Sequence, residues 1–368
     1  MTVATNRSAA LDLLRALAIG RVLAFHLTDI TALTLIPAMS VMFWISGTLA
    51  VPALDRSGAY EFWSRRMRRV LVPLFPYALV VVVIVSVAGA LGELGWYRTM
   101  TTFLPFLSPH PEGLVQHGRS GWFVGIEGLW THLWYLQTYV LFLFILILGV
   151  GRARSEAARR RILIGMSIGC VVVAVILDIV AVAVGESATL WCGRLGGFLV
   201  QLAVFVGGAI WGQAAIFAPN RWSIPNWAVG AAVGAAGISQ ALVGTTLTST
   251  TLALRSLALL MVCGRFLAVL ERWGNSIAVS RLLGWLSTRL VSLYLWQMLG
   301  IYAALQVLER LLPDVHGPSA AALRVVLGLA FTLVAVTVVQ PFELWAKTAR
   351  LHNRTARGGA QTHHGEHL

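Results

Sequence analysis

Charged residues and cysteines are scarce in this chain, and each scarcity excludes a class of protein. Asp, Glu, Lys and Arg make up only 12% of its 368 residues, whereas a soluble domain carries about 25%. Cys170, Cys192 and Cys263 are scattered, and no pair has the spacing of metal ligands. The phosphate-binding glycine loop and the His-Glu-x-x-His zinc pair are missing too. We therefore interpret the cysteines as packing residues and expect no metal site.

Long hydrophobic runs dominate the chain instead. Hydrophobic residues make up 58% of the sequence, the mean hydropathy is +0.77, and the runs recur at the length of about 20 residues that crosses a bilayer. We predict an all-α, polytopic transmembrane bundle of about ten spans embedded in the lipid bilayer. The predicted spans cover residues 10–30, 34–54, 70–90, 130–150, 162–184, 194–216, 226–245, 249–270, 287–307 and 321–345.

Basic residues sort the connections between these spans into two sides. One side holds Arg7, the arginines of 65–69 and 152–161, and the C-terminal tail, whereas the other side holds few. The positive-inside rule then places both termini in the cytoplasm. The net charge of +13 is therefore mostly a topology signal, and no nucleic-acid partner is expected. Lys347 is the only lysine, and this dominance of arginine favours a GC-rich bacterial genome and hence a multi-pass protein of the plasma (inner) membrane.

The domain organisation predicted from these patterns is simple. Residues 1–350 form one transmembrane domain, and residues 351–368 form a basic, disordered cytoplasmic tail. The longest outer connection, about 91–129, is rich in proline, glycine and aromatic residues. We predict that it lies at the membrane interface.

The first predicted span carries ions that a membrane helix normally excludes. It contains Asp12, Arg15, Arg21, His26 and Asp29, and each ion costs about 2.5–3.5 kcal/mol on insertion scales. Arg15 and His26 share one helical face, roughly 16 Å apart along the axis. Asp29 could orient the ring of His26, and Asp12 could pair with Arg15. An imidazole suits the role of general base toward a hydroxyl, although a hydrogen-bonded structural histidine is the alternative.

A run of arginines at 65–69 opens the third predicted span. Arg66 and Arg69 are one helical turn apart, so both guanidiniums can hold one phosphate group of a polyanion, with Arg65 beside them. A stop-transfer and orientation signal explains the same run.

An aromatic segment opens the fourth predicted span. It contains His132, Trp134 and Tyr135. An aromatic belt at the membrane interface explains these rings, and His132 could simply face lipid headgroups.

Five segments, in order along the chain, resemble motifs of the membrane acyltransferase family 3. They are Leu-Asp-Leu-Leu-Arg-Ala-Leu-Ala at 11–18 followed by His26, Phe-Trp-Ile-Ser-Gly-Thr-Leu at 43–49, Arg66-x-x-Arg69 followed by Pro73, His-Leu-Trp-Tyr-Leu at 132–136, and Ser-Leu-Tyr-Leu-Trp at 292–296. Two positions depart from the family pattern: Thr48 replaces the usual aromatic residue, and Gln297 stands where the family often has histidine.

The resemblance implies an integral-membrane O-acyltransferase. Such an enzyme moves an acyl group, commonly acetyl, from cytoplasmic acyl-CoA such as acetyl-CoA to a hydroxyl of a glycan, a lipid-linked sugar or another metabolite, and it needs no metal. On this reading His26 is the general base, Asp29 orients it, and Arg15 positions the donor. Arg66 and Arg69, with Arg65, hold the CoA phosphates.

The same resemblance suggests residues for the acceptor side. His132, Trp134, Tyr294, Gln297 and Ser46 are the candidates for substrate contacts. Ser46 and Trp134 are also candidates for the hydrogen-bond donor that polarises the thioester carbonyl. The alternative function is a transporter or flippase of a polar or anionic metabolite, because many spans with intramembrane charges suit that class too. A transporter would need no general base.

Overall fold

The computed structural model describes residues 8–28, 30, 33, 36–87, 129, 132–151, 153, 155–215, 225–241, 248–312 and 317–362. Within these ranges the chain forms ten α-helices and no β-strand. The helices are α1 (Ala9–Thr28), α2 (Ala38–Val87), α3 (Trp134–Val150), α4 (Glu156–Val184), α5 (Glu186–Ala215), α6 (Asn226–Ala241), α7 (Thr248–Gly274), α8 (Ile277–Ser287), α9 (Leu290–Leu311) and α10 (Gly317–Thr362).

Six helices in the described part of the chain are long and apolar enough to cross a membrane, namely α2, α4, α5, α7, α9 and α10. The chain is therefore an all-helical, multi-pass membrane protein over the described ranges. Helix α1 is not among the six, and it carries Asp12, Arg15 and Arg21. The count of ten spans and the cytoplasmic position of both termini stay predictions. The predicted outer connection at 91–129 lies almost entirely outside the described residues.

Helix α2 contains two predicted spans joined at a glycine. Gly58 has φ 72° and ψ 165°, a backbone conformation that residues other than glycine rarely adopt. It divides α2 into residues 38–57 and 59–87, which contain most of the second and most of the third predicted span. Beside this joint, Arg159 at the start of α4 donates to both oxygens of Asp55, at 2.6 and 2.7 Å. The start of α4 and the middle of α2 therefore lie at the same end of the bundle.

Two glycines bring α2 and α5 into backbone contact. A Cβ on Gly47 would fall 1.8 Å from the carbonyl oxygen of Phe205, and a Cβ on Gly208 would fall 2.1 Å from that of Trp44. Small residues allow this approach between membrane helices, where packing rather than burial from water drives association. The contact holds the first half of α2 firmly against α5.

Buried polar side chains tie α7 to its neighbours. Asp178 of α4 is fully buried and accepts hydrogen bonds from the backbone of Ser249 and Thr250, at 3.2 and 2.7 Å, at the start of α7. Further along α7, the hydroxyl of Ser256 lies 2.8 Å from that of Ser40. Asp178, Ser40 and Ser256 thus each have a polar partner inside the apolar bundle.

The last helix is longer than a single span. Helix α10 continues through Pro341 to Thr362. The backbone is therefore helical across residue 350, where the sequence suggests the start of a disordered tail, and residues 363–368 lie outside the described part. The division into a domain and a tail stays a prediction.

Candidate functional site

Arg66 connects the two halves of α2 with α3. Its guanidinium donates to the hydroxyl of Tyr139 at 3.1 Å and to the carbonyl oxygen of Leu49 at 3.3 Å. It also lies over the ring of Phe62, 5.4 Å from the centroid. These contacts fix a half-buried cation at one place in the bundle, where it remains a strong donor toward an anion.

Arg15 and Arg69 gather near Arg66 and Tyr139. Arg15 pairs with Asp12 at 3.7 Å, as predicted, with side-chain exposures of 22% and 9%. Arg15 lies close enough to Arg66 and Tyr139 for their charges to interact, and so does Arg69. We call Arg15, Arg66 and Arg69 the arginine cluster. Three like charges at one place favour a bound polyanion.

Arg65 lies beside this cluster and has an acidic partner of its own. It is exposed and pairs with Glu61, one turn earlier on α2, at 2.5 Å. The structure thus brings Arg66 and Arg69 together as the spacing predicts, and the charge of Arg65, one turn before Arg69, also interacts with Arg69.

His26 and His132 form a second group, at the other end of α1. His26 occupies the last turn of α1, and His132 lies just before α3. The two imidazoles are close enough for their charges to interact. We call them the histidine pair. His132 is buried, and its ring centroid lies 5.5 Å from those of Tyr77 and Tyr294.

Two buried tyrosine hydroxyls hold the backbone around His132. The hydroxyl of Tyr77 donates to the carbonyl oxygen of Leu129, and that of Tyr294 donates to the carbonyl oxygen of His132 itself. The segment before α3 is therefore anchored to both α2 and α9, which fixes the position of the His132 ring.

A strip of tyrosine rings joins the two groups. The rings of Tyr294 and Tyr135 are 5.3 Å apart, and those of Tyr135 and Tyr139 are stacked with centroids 6.4 Å apart. The strip begins at His132 and ends where Tyr139 accepts a hydrogen bond from Arg66. We call Tyr294, Tyr135 and Tyr139 the tyrosine strip. It runs from Tyr294 of α9 along α3 to Tyr139, and α1 lies in the opposite direction, from Arg15 at the arginine end to His26 at the histidine end.

The remaining predicted residues take different places. Ser46 is buried and forms a side-chain hydrogen bond with Tyr135. Trp134 is half-buried, with its ring 6.3 Å from that of Phe43. Gln297 is fully buried, and neither of its amide atoms has a hydrogen-bond partner within the described ranges. Asp29, the expected partner of His26, lies outside the described residues.

Four residues of this site were not among the predicted site residues. Tyr77, Tyr135 and Tyr139 belong to it, and a signal for the latter two was present, because His132, Tyr135 and Tyr139 repeat at three and four residues along one helical face. Arg21 is the fourth: its Nε donates to the carbonyl oxygen of Leu33 at 2.6 Å, and its charge interacts with His26.

Chemically, the site offers cations at one end, imidazoles at the other and aromatic rings between. This arrangement suits a long ligand with an anionic head and a reactive tip. Among the residues the structure describes, no group of three His, Cys, Asp or Glu side chains could hold a metal ion.

The comparison with known proteins gives one match. A family model described as an acyltransferase domain, of acyltransferase family 3, matches residues 8–340 and so covers every residue of the site. No curated protein and no solved structure shows significant similarity to the chain.

Proposed function

The chain belongs to acyltransferase family 3, whose model spans nearly its whole length, and from this premise we propose that it transfers an acyl group from acyl-CoA to a hydroxyl. It is thus a membrane acyltransferase, and the proposal concerns its donor, its acyl group and its base. We propose acetyl-CoA as the donor, His26 as the general base, and a glycan, lipid or small molecule as the acceptor.

The observation that carries this proposal is the separation of the arginine cluster from the histidine pair. The arginine cluster and the histidine pair lie at opposite ends of the tyrosine strip. Along α1, Arg15 and His26 are roughly 16 Å apart. An extended pantetheine arm spans on the order of 15–20 Å at the spacing of an extended chain. CoA phosphates at the arginine cluster would therefore put the thioester near the histidine pair.

The proposed reaction needs one base and one departing thiolate. The imidazole of His26 takes the proton of the acceptor hydroxyl, and the hydroxyl oxygen bonds to the thioester carbonyl carbon. The carbon–sulfur bond then breaks, and CoA leaves as a thiolate that takes up a proton. His132, fixed by Tyr77 and Tyr294, lies on the same side as His26 and is proposed to contact the acceptor.

The residues predicted to contact the acceptor remain candidates, and their hydrogen bonds in the structure restrict which atoms can make the contact. The hydroxyl of Tyr294 already donates to the carbonyl of His132, and Ser46 bonds with Tyr135. We therefore assign Tyr294 a contact through its ring rather than its hydroxyl. Trp134 and Gln297 stay candidates for polar contacts with the acceptor or the thioester carbonyl, and Asp29 stays the candidate that orients His26.

Binding of CoA tests the arginine cluster without knowledge of the acceptor. The melting temperature of the purified protein in lipid nanodiscs is measured with CoA, dephospho-CoA and pantetheine. We expect CoA to raise it most, because it carries the most phosphate charge, and we expect Arg66→Ala to abolish the difference. Arg68→Ala, an exposed neighbour in the same arginine run, is the matched control and should behave as wild type. Equal stabilisation by all three compounds would contradict a CoA site.

Transfer of label tests the base. Membranes containing the protein receive radiolabelled acetyl-CoA, and acetylated lipid, glycan and small-molecule fractions are counted. We expect His26→Ala to lower labelling by a factor of about 100 or more, with an unchanged melting temperature shift on CoA. His364→Ala in the C-terminal tail is the control for loss of an imidazole. Solute movement with no release of CoA would instead support a transporter.

A further inference from the structure

The first turn of α1 is capped by a residue that lies more than 260 positions later in the sequence. Glu271, in the last turn of α7, accepts a hydrogen bond from the hydroxyl of Ser8 at 2.8 Å. It also accepts from the backbone N–H groups of Ala9 and Ala10, at 3.2 and 2.8 Å. One carboxylate thus binds three donors at the start of the helix that carries Arg15 and His26.

These donors need such a partner. The first N–H groups of any α-helix have no acceptor within the helix, and the positive end of the helix dipole favours a nearby carboxylate. Local side chains supply only a weak cap, because the hydroxyl of Ser8 lies 3.4 Å from the N–H of Leu11. Glu271 therefore supplies most of the cap, from another helix.

A glycine allows the two helices to meet at this point. A Cβ on Gly274 would fall 2.9 Å from the Cβ of Ala9 and 3.0 Å from its carbonyl oxygen. The end of α7 and the start of α1 are thus in backbone contact, and Glu271 sits one turn before it. The cap and the close approach together fix the height and rotation of α1.

We propose that Glu271 is a positioning residue for the arginine cluster, and this inference rests on the proposed function. Arg15 follows Ala10 by five residues, about 7.5 Å along the axis, whereas Arg66 belongs to α2. The register between Arg15 and Arg66 therefore depends on where α1 is anchored. The carboxylate of Glu271 sets that register, and so it sets the affinity for the CoA phosphates without touching them.

Glu271→Gln is the principal test, because it keeps the shape and removes the charge and one strong acceptor. The chain offers a matched control: Asp178 caps α7 through two backbone N–H groups and the hydroxyl of Thr250. We expect Glu271→Gln to weaken CoA binding and raise the KM for acetyl-CoA by about tenfold, a change of about 1.4 kcal/mol, with kcat changed less than about twofold. We expect Asp178→Asn to lower the melting temperature with the KM unchanged.

A second variant disturbs the same contact between α1 and α7 by adding a methyl group instead of removing a charge. Gly274→Ala places a methyl group against Ala9 and should displace the first turn of α1. We expect it to raise the KM in the same direction as Glu271→Gln, and it serves if Glu271→Gln fails to fold. Ser8→Ala removes one donor and should have a smaller effect of the same sign.

The outcomes separate this inference from the proposed function. If the wild-type protein binds no CoA, the proposed function fails. If the wild type binds CoA and Glu271→Gln and Gly274→Ala bind it equally well, only the positioning role of Glu271 fails. If Asp178→Asn raises the KM as much as Glu271→Gln does, the effect is general loosening of the bundle, and the specific role is again rejected.

Discussion

At the scale of single residues, Gln297 combines full burial with an unsatisfied amide. Neither amide atom has a hydrogen-bond partner within the described ranges, and the side chain is 0% exposed. A buried polar group without a partner costs about 1–3 kcal/mol. Its position directly after the Ser-Leu-Tyr-Leu-Trp segment agrees with the proposed role in binding the second substrate.

The variant Gln297→Leu separates stability from activity. We expect it to raise the stability by about 1 kcal/mol, because it replaces two unpartnered polar atoms with apolar ones of similar volume, while acetyl transfer falls. Thermal denaturation and the labelling assay measure the two effects. Gln201→Leu is the control, since Gln201 is also buried but accepts a hydrogen bond from Ser40 at 3.1 Å, and it should destabilise. A loss of stability in both variants would contradict this interpretation.

Residues that carry charge were the most predictable part of the site. The pairing of Asp12 with Arg15 and the approach of Arg66 to Arg69 follow from helical spacing, because i, i+3 neighbours share a face. Tyr294 was predicted as a substrate contact, but its union with Tyr135 and Tyr139 in one strip was not, because tyrosines in membrane spans are common at interfaces and this contact joins helices far apart in sequence. The roles of these residues in catalysis stay predictions.

At the scale of helices, the contact between α2 and α5 depends on two glycines. A methyl group at Gly208 would fall 2.1 Å from the carbonyl oxygen of Trp44, whereas one at Gly207 would meet nothing within 4 Å. The two positions are adjacent in one helix, so they differ in packing and not in helix propensity.

Substitution of these two glycines is therefore a clean comparison. We expect Gly208→Ala to lower the stability by about 1–3 kcal/mol, because overpacking forces the helices apart. Gly207→Ala should leave it unchanged or raise it by up to about 1 kcal/mol. Melting temperatures in nanodiscs provide the measurement. Equal melting temperatures for the two variants would show that the backbones do not approach as described.

Helices were predictable where a hydrophobic run is long, and less so elsewhere. Each predicted span overlaps a described helix, because about 20 apolar residues specify a crossing on their own. Helix α8 (Ile277–Ser287) was not predicted, since its 11 residues are too few for a span. The near-continuous path of α2 through Gly58 was missed as well, because a glycine between two runs usually indicates a loop.

At the scale of the whole molecule, the distribution of charge predicts the orientation in the bilayer. The ion pair of Arg159 with Asp55 places two predicted cytoplasmic segments together. The close contact of Glu271 with Ala9 does the same for the start of α1 and the end of α7. These pairings agree with the sorting of basic residues, although which side of the membrane they occupy is still a prediction of the positive-inside rule.

Accessibility of single cysteines tests this orientation. In a variant lacking the three native cysteines, Arg65→Cys and Ser155→Cys should react with a membrane-impermeant maleimide only in inverted vesicles, because both positions belong to the predicted cytoplasmic side. Leu312→Cys, at the end of α9, should react only in right-side-out vesicles. Reaction of Arg65→Cys and Ser155→Cys from opposite sides would contradict the described bundle itself.

The dependence of α1 on Glu271 also has a consequence for biosynthesis. The acceptor for the N–H of Ala9 lies 262 residues later in the chain. Ribosomes add about 5–20 residues per second, so the nascent first helix waits roughly 13–52 s for its carboxylate. During that interval its charged face must be sheltered by the insertion machinery or by helices already made. The helix that carries Arg15 and His26 is therefore translated well before the residue that caps it.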